Sequence, residues 1–384
     1  MSSIIQPDYD HCIVNTVASI LKYYKASTDY STINILDKAL LKSYKNVVLM
    51  VFDGMGTDML RKNLPEDSFL RRHMAEEIKS VYPCTTTAAM TSYYTGLSPK
   101  EHGWLGWSLY FKEYGRIIDT FLNTDSFTKE SIGRKSAAEV LMPYERIYEK
   151  IYRATDGEVD IYTINPSGIR FLEDVNTNIR VESVGEICEE IKALCSNSNE
   201  KFIMSYWPEP DSTMHEYGTC TPETTRAIET INQLVEAMCE ELKNTLVIIS
   251  ADHGQVDIHE EVYLNDIPEI EECLVMPSSV EPRAVSFFVK YEMRDVFESR
   301  FQERFGEDFI LYKKEEVIEK GLFGYGKMHK KVSDFLGDYL ACAVGQRILR
   351  YRTINSTDKF LFKGHHAGLR PEEMLVPLII KMCE

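Results

Sequence analysis

The sequence lacks the marks of an exported or membrane-embedded chain. Its first residues, MSSIIQPDYD, hold no basic stretch followed by an apolar one, so no signal peptide is expected. Apolar runs are short, as in NVVLMVF, and none has the length of a transmembrane helix. The nine cysteines are scattered and odd in number, without a C-x-x-C pair. They read as reduced, mostly buried thiols, and the cytoplasm is the expected address. Basic residues are also short: 43 Lys and Arg stand against 60 Asp and Glu, a net charge of −17. That balance disfavours a nucleic-acid polymer or an anionic membrane as partner. Small anionic substrates would need a local reversal of the field, such as bound cations. Internal repeats and low-complexity tracts are missing too.

What is present is enough for a large core: 384 residues with 44% hydrophobic content. Short apolar runs rich in β-branched and aromatic residues, VVLMVF (47–52), IYTI (161–164), FIMSYW (202–207) and LVIIS (246–250), read as buried strands. Between two of them Ile231, Leu234, Val235, Met238 and Leu242 recur at helical spacing, with Thr221 as a cap and Pro222 at the first helical position. Strand and helix alternating in this way predict an α/β sandwich with a mostly parallel central sheet. Residues 266–345 read differently, as a small inserted α+β cap. Residues 1–265 and 346–384 then form the core domain, with MLVPLII returning to the main sheet.

The chemistry gathers where strands stop. VVLMVF runs into Asp53, SVYPC into Thr85, Thr86 and Thr87, FIMSYW into Asp211 and His215, and LVIIS into Asp252 and His253. KGHHAG, with His365 and His366, precedes the last strand. In open α/β sheets, sites form outside the carboxyl ends of the strands. Asp and His are zinc ligands, and the four-residue spacing of Asp211 and His215 puts both on one side of a helical turn. These groups suffice for two divalent ions, which can clamp a transferring phosphoryl group. A threonine hydroxyl on such an ion becomes a nucleophile. If TAAMTSYYTG is a helix ending at Gly96, its free amides point at the same place.

The motifs VFDGMG, YPCTTT…YYTGLSPKEHG, DSTMHEYG, SADHG and HHAGLRPEEMLVPL, in this order, resemble the alkaline phosphatase superfamily and, within it, the type I phosphodiesterase / nucleotide pyrophosphatase family. The resemblance implies an alkaline-phosphatase-like three-layer sandwich, two zinc ions and a covalent phospho-threonine intermediate. Counting from Pro83, it places the nucleophile at Thr86. It implies one ion between Asp53, Thr86, Asp252 and His253, and another between Asp211, His215 and the imidazole before the small residue, His366 in preference to His365. The family usually carries Asn three residues after the nucleophile, read here as a holder of a phosphoryl oxygen; this chain has Ala89.

The expected activity is hydrolysis of phosphodiester or pyrophosphate bonds in a small phosphate ester or nucleotide. The missing Asn keeps a phosphomonoesterase or phosphonate hydrolase on the same scaffold as the alternative. From another class comes a non-catalytic metal- or nucleotide-binding protein, which would have little reason to keep the nucleophile. Trp104 and Trp107 read equally as pocket lining or as packing, His102 as a shaper of its loop, and Lys331 as part of a solvated surface.

Overall fold

The computed structural model describes residues 4–167, 178–352 and 361–384. Its main sheet has seven strands, in the spatial order Met74–Lys79, Leu375–Cys383, Thr245–Ser250, Asn46–Phe52, Lys201–Trp207, Asp160–Pro166 and Asn178–Val181. The last five run parallel to one another. Leu375–Cys383 joins antiparallel to Thr245–Ser250 and to the edge strand Met74–Lys79. Asn46–Phe52 is central and buried at each position, which is why it reads as an unbroken apolar run rather than an alternating one. On the helical layers, Ile13–Tyr23 packs with Thr86–Thr95 and Ile147–Ala154, and Val184–Ser196 packs with Pro222–Glu241. The Pro222–Glu241 helix starts as its sequence indicates: the Thr221 hydroxyl accepts from Thr224 N at 3.4 Å, with Pro at the first turn.

The segment before the three threonines departs from expectation. The strand ends at Lys79, and Ser80–Thr85 is irregular. Pro83 has no N–H to give to a ladder. The segment is instead stitched to neighbouring loops: Ser80 N donates to Met374 O at 2.7 Å and Cys84 Sγ to Gly368 O at 3.1 Å.

A second, antiparallel sheet also has seven strands. Residues 266–345, the stretch we propose as the cap, supply Ser279–Glu281, Ala284–Phe287, Phe309–Lys313 and Tyr339–Ala343. Ser108–Phe111, Arg116–Asp119 and Thr124–Asp125 complete it. One wall of the cap sheet therefore comes from the chain just after the Thr86–Thr95 helix. The cysteines are all unpaired, and only Cys220 is exposed. Among the described residues no helix is long and apolar enough to cross a membrane.

Candidate functional site

Three neighbouring parallel strands, Asn46–Phe52, Lys201–Trp207 and Thr245–Ser250, end side by side, and each is followed by a carboxylate. Asp53 leaves its strand with its N–H on Trp207 O at 2.9 Å and its carbonyl accepting from Asp211 N at 3.1 Å. Asp252 accepts from Gly54 N at 3.1 Å and from His253 N at 2.9 Å. His253 Nε2 lies 3.3 Å from Asp53 Oδ1 and 3.4 Å from Asp252 Oδ2. Thr86, the first residue of its helix, brings Oγ1 to 3.3 Å from both Asp53 Oδ2 and His253 Nε2.

A second group adjoins the first. The Asp211–Tyr217 helix holds Asp211 and His215 one turn apart, with Nε2 to Oδ2 at 3.2 Å. His366 Nε2 approaches Asp211 Oδ1 at 3.8 Å, and its ring stacks on that of His253 with centroids 3.8 Å apart. The most compact set on this side is Asp211, His253 and His366, with His215 on the outer flank of Asp211.

The imidazoles share one orientation. Nδ1 of His253 lies 3.0 Å from Gly254 O, that of His215 2.8 Å from Gly364 O, and that of His366 3.2 Å from Cys84 O. A carbonyl can only accept, so each Nδ1 is the donor there, and each Nε2 is turned toward carboxylate oxygens. That arrangement suits metal-ligating histidines, whose other nitrogen is spent on an oriented acceptor. The buried Asp53 Oδ1 and Asp252 Oδ2 have no hydrogen-bond donor. Imidazole nitrogens and carboxylate oxygens thus converge on one another without a donor between them. A divalent cation fits this donor set, of Asp oxygen and His nitrogen, and would resolve its repulsion.

The electrostatics carry the same message. Burial, then repulsion by Asp252 and Asp211, pushes the Asp53 carboxyl well above the usual carboxylate range. Burial raises Asp252 as well, against the attraction of His253. Asp211 moves oppositely: burial raises it, but His215 and then His366 outweigh burial and hold it low. For His215, burial opposes protonation and Asp211 overcomes it, so that imidazole is raised.

The threonines now separate by contact. Thr85 is the helix cap residue, in extended conformation, and its hydroxyl donates to Glu281 at 2.7 Å. The Thr87 hydroxyl is buried and meets no hydrogen-bond partner among the described residues. Only the Thr86 hydroxyl meets the Asp/His cluster. Ala89 corrects an expectation: it is fully buried in the main hydrophobic core and does not line the pocket.

His365 is brought in along with His366. It is 5% exposed, lines the same pocket, and accepts the His366 N–H on Nδ1 at 2.9 Å. Of the pair, only His366 faces a carboxylate. Trp107 lines the pocket, whereas Trp104 is buried with Nε1 on Met142 O at 3.1 Å. His102 packs against the Ser92 hydroxyl of the Thr86–Thr95 helix at 3.1 Å. Sequence reasoning missed Tyr206, whose hydroxyl donates to Asp53 Oδ2, and Gln255, whose amide donates to Asp211. Gln255 directly follows the ADHG motif, which was its only signal. The pocket over the cluster has a volume of about 480 Å³.

The fold is alkaline-phosphatase-like, a mixed α/β sandwich around a central sheet. Murine ectonucleotide pyrophosphatase / phosphodiesterase 5, in an inactive form bound to AMP, superposes with a TM-score of 0.62 at 16% identity, covering 88% of this chain and 87% of that one. Phosphonoacetate hydrolase from Sinorhizobium meliloti 1021, bound to phosphonoformate, gives 0.61 at 15% identity over 88% and 91%. At the sequence level, the type I phosphodiesterase / nucleotide pyrophosphatase family matches residues 47–342, and the chain belongs to that family. Human bis(5'-adenosyl)-triphosphatase ENPP4 is 24% identical over 231 residues, 57% of this chain and 49% of that protein. Venom phosphodiesterase 2 of Crotalus adamanteus is 26% identical over 198 residues, 48% of this chain and 23% of the other. The chain thus spans about half the length, or less, of these curated relatives.

Proposed function

We propose that the chain is a metal-dependent hydrolase of phosphodiester or pyrophosphate bonds, acting on a small phosphate ester or nucleotide through a phospho-threonine at Thr86. The observation that carries this reading is the position of Thr86 Oγ1, 3.3 Å from both Asp53 Oδ2 and His253 Nε2 at a helix N-terminus. Two zinc ions are the proposed cofactor. Asp53, Thr86, Asp252 and His253 would hold one, and Asp211, His215 and His366 the other. When bound, such ions supply Lewis-acid stabilisation of phosphoryl oxygens and lower the pKa of a coordinated hydroxyl.

The chain's own groups then have defined tasks. Asp53 and His253 lie where the Thr86 proton can leave. The Thr86 oxygen forms a bond to phosphorus while the bond to the leaving oxygen breaks, and water later cleaves the phospho-threonine, regenerating the hydroxyl. Free amides of the first helical turn meet the phosphoryl oxygens. Tyr206 and Gln255 fix the carboxylates of Asp53 and Asp211 by hydrogen bonds.

The test is direct. Zinc-loaded protein is assayed with bis-p-nitrophenyl phosphate and diadenosine triphosphate, and a slowly turned-over substrate is quenched for peptide mass spectrometry. Turnover with the phosphoryl group on Thr86 is expected. A phosphoryl group on Thr85 or Thr87, or no zinc bound at any added level, would overturn the reading.

A further inference from the structure

Glu281 is a buried carboxylate that the mechanism above does not use. It ends the Ser279–Glu281 strand of the cap sheet, is 6% exposed, and lines the same pocket as Thr86, Asp211 and His215. Its Oε1 accepts from Thr85 Oγ1 at 2.7 Å and from Trp107 N at 2.6 Å. Oε2 accepts nothing among the described residues, yet it is not among the sealed, unpartnered atoms of the interior, so it faces the pocket. Burial, only partly offset by the Thr85 and Trp107 contacts, pushes this carboxyl up to about 7. Water therefore screens it poorly. The Lys and Arg side chains that line the pocket are paired elsewhere: Lys129 with Asp119 at 3.0 Å, Arg350 with Glu261 and Arg352 with Asp266 at 2.8 Å, so His215 is the cation that acts on Glu281.

We propose that Glu281 sets the ester class of this pocket: its carboxylate disfavours dianionic phosphomonoesters and leaves monoanionic diesters as the preferred substrates. The inference rests on the phosphoester-hydrolase reading. A monoester and a diester present the same phosphorus to Thr86, and differ in that the monoester carries one more negative charge. That charge sits on an oxygen that must share the pocket with Glu281 Oε2. Repulsion between two such charges in a poorly hydrated pocket changes a binding ratio by on the order of tenfold. The position also fits specificity because Glu281 comes from the cap sheet, so it tunes the pocket without belonging to the Asp/His cluster.

Glu281→Gln tests this. Glutamine keeps the shape and the acceptor for Thr85 and Trp107 but removes the charge. The zinc-loaded proteins are compared at pH 8.5 with p-nitrophenyl phosphate and methyl p-nitrophenyl phosphate. The monoester-to-diester ratio of kcat/KM is expected to rise about tenfold, through a gain on the monoester, with zinc content and melting temperature unchanged. An unchanged ratio, with both rates falling together, would overturn the proposal and leave Glu281 as a brace between Thr85 and Trp107. Calorimetry of the same proteins, freed of excess zinc, adds a readout that needs no turnover. Inorganic phosphate should bind E281Q about tenfold more tightly than wild type, with dimethyl phosphate shifting less than about twofold. Equal shifts for the two would overturn the proposal. If neither ester is cleaved, the hydrolase reading fails while the phosphate result still decides the role of Glu281.

Discussion

Arg283 and Glu373 form an ion pair with no exposed side-chain surface, Nε to Oε1 and Nη2 to Oε2 both at 2.7 Å. Arg283 also donates to the carbonyls of Arg347 and Gly345, each at 2.9 Å, and Glu373 accepts from Gly368 N at 2.7 Å. The Asp53, Asp252 and His253 cluster is equally buried, but two of its carboxylate oxygens have no donor and its histidine Nε2 is turned toward them. The first cluster is closed: charge and hydrogen bonds balance, and the clasp ties the cap sheet to the HHAG loop. The second is open. A protein bears the cost of an unbalanced buried cluster where something else is to complete it. Burial alone does not separate a structural cluster from a functional one; the separating property is whether the donors and acceptors add up.

The largest effect expected from that contrast is on turnover. Thr86→Ala removes the threonine hydroxyl that meets both Asp53 and His253, and kcat/KM should fall on the order of 10⁴-fold. Zinc content and thermal unfolding should stay near wild type, and Thr86→Ser should keep part of the activity. A variant that loses its fold along with its activity would place Thr86 among the closed, structural contacts instead.

Next comes the closed cluster. Glu373→Ala leaves the Arg283 guanidinium buried without its counter-charge, a change that costs about 3–5 kcal/mol. Urea unfolding should report this loss with and without zinc, because the clasp does not depend on a cation. A loss under about 1 kcal/mol would show that water replaces the carboxylate there, and the balanced picture would fail.

The open cluster should respond to zinc itself. At free zinc a hundredfold above Kd, the unfolding free energy should rise by about 2.7 kcal/mol for each site filled. His366→Ala should weaken zinc binding by at least about tenfold, measured by competition with a chelating dye, while His365→Ala should leave it near wild type. The reverse ranking would mean that the HHAG loop presents the other imidazole. Equal zinc binding in both variants would remove His366 from the ligand set.

The sequence made the strand ends legible because buried parallel strands leave unbroken apolar runs, and the polar residue after each run stands out. The Asp211 and His215 pair was legible because helical spacing is a local property. Long-range pairings were not. Ser108–Asp125 joins strands more than a hundred residues further on, and nothing in its own composition says so. Glu281, Tyr206 and Gln255 act through partners supplied by the fold, and a single Glu or Tyr carries no pattern. Lys331, expected on a solvated surface, is 1% exposed and pairs with Glu113 and Asp334. Glu113 lies 218 positions away, beyond the reach of any local signal. Ala89 shows the opposite failure: a motif position was legible, but the direction of its side chain was not.

The smallest expected effect is the most diagnostic of the open cluster. Burial and the repulsion of Asp252 and Asp211 raise the Asp53 carboxyl above its unfolded value of about 3.9. For a group raised in this way, the stability linked to its proton is fully present below the unfolded pKa and is lost as pH rises through the folded one. Zinc-free wild-type protein should therefore lose ground, as pH rises above about 4, relative to Asp53→Asn, which has no proton to lose. Asparagine keeps an oxygen to accept from Tyr206 and Thr86, so the comparison isolates the charge. Chelator-treated Asp53→Asn should match wild type near pH 4 and exceed it by roughly 1 kcal/mol at pH 8. Adding zinc should reverse the order, since the carboxylate is the better ligand for the cation. Guanidinium unfolding at pH 4, 6 and 8 with and without zinc measures this. An Asp53→Asn protein that is no more stable than wild type at pH 8 without zinc would mean that the cluster already balances its charges, as the Arg283–Glu373 clasp does, and the distinction between the two would be lost.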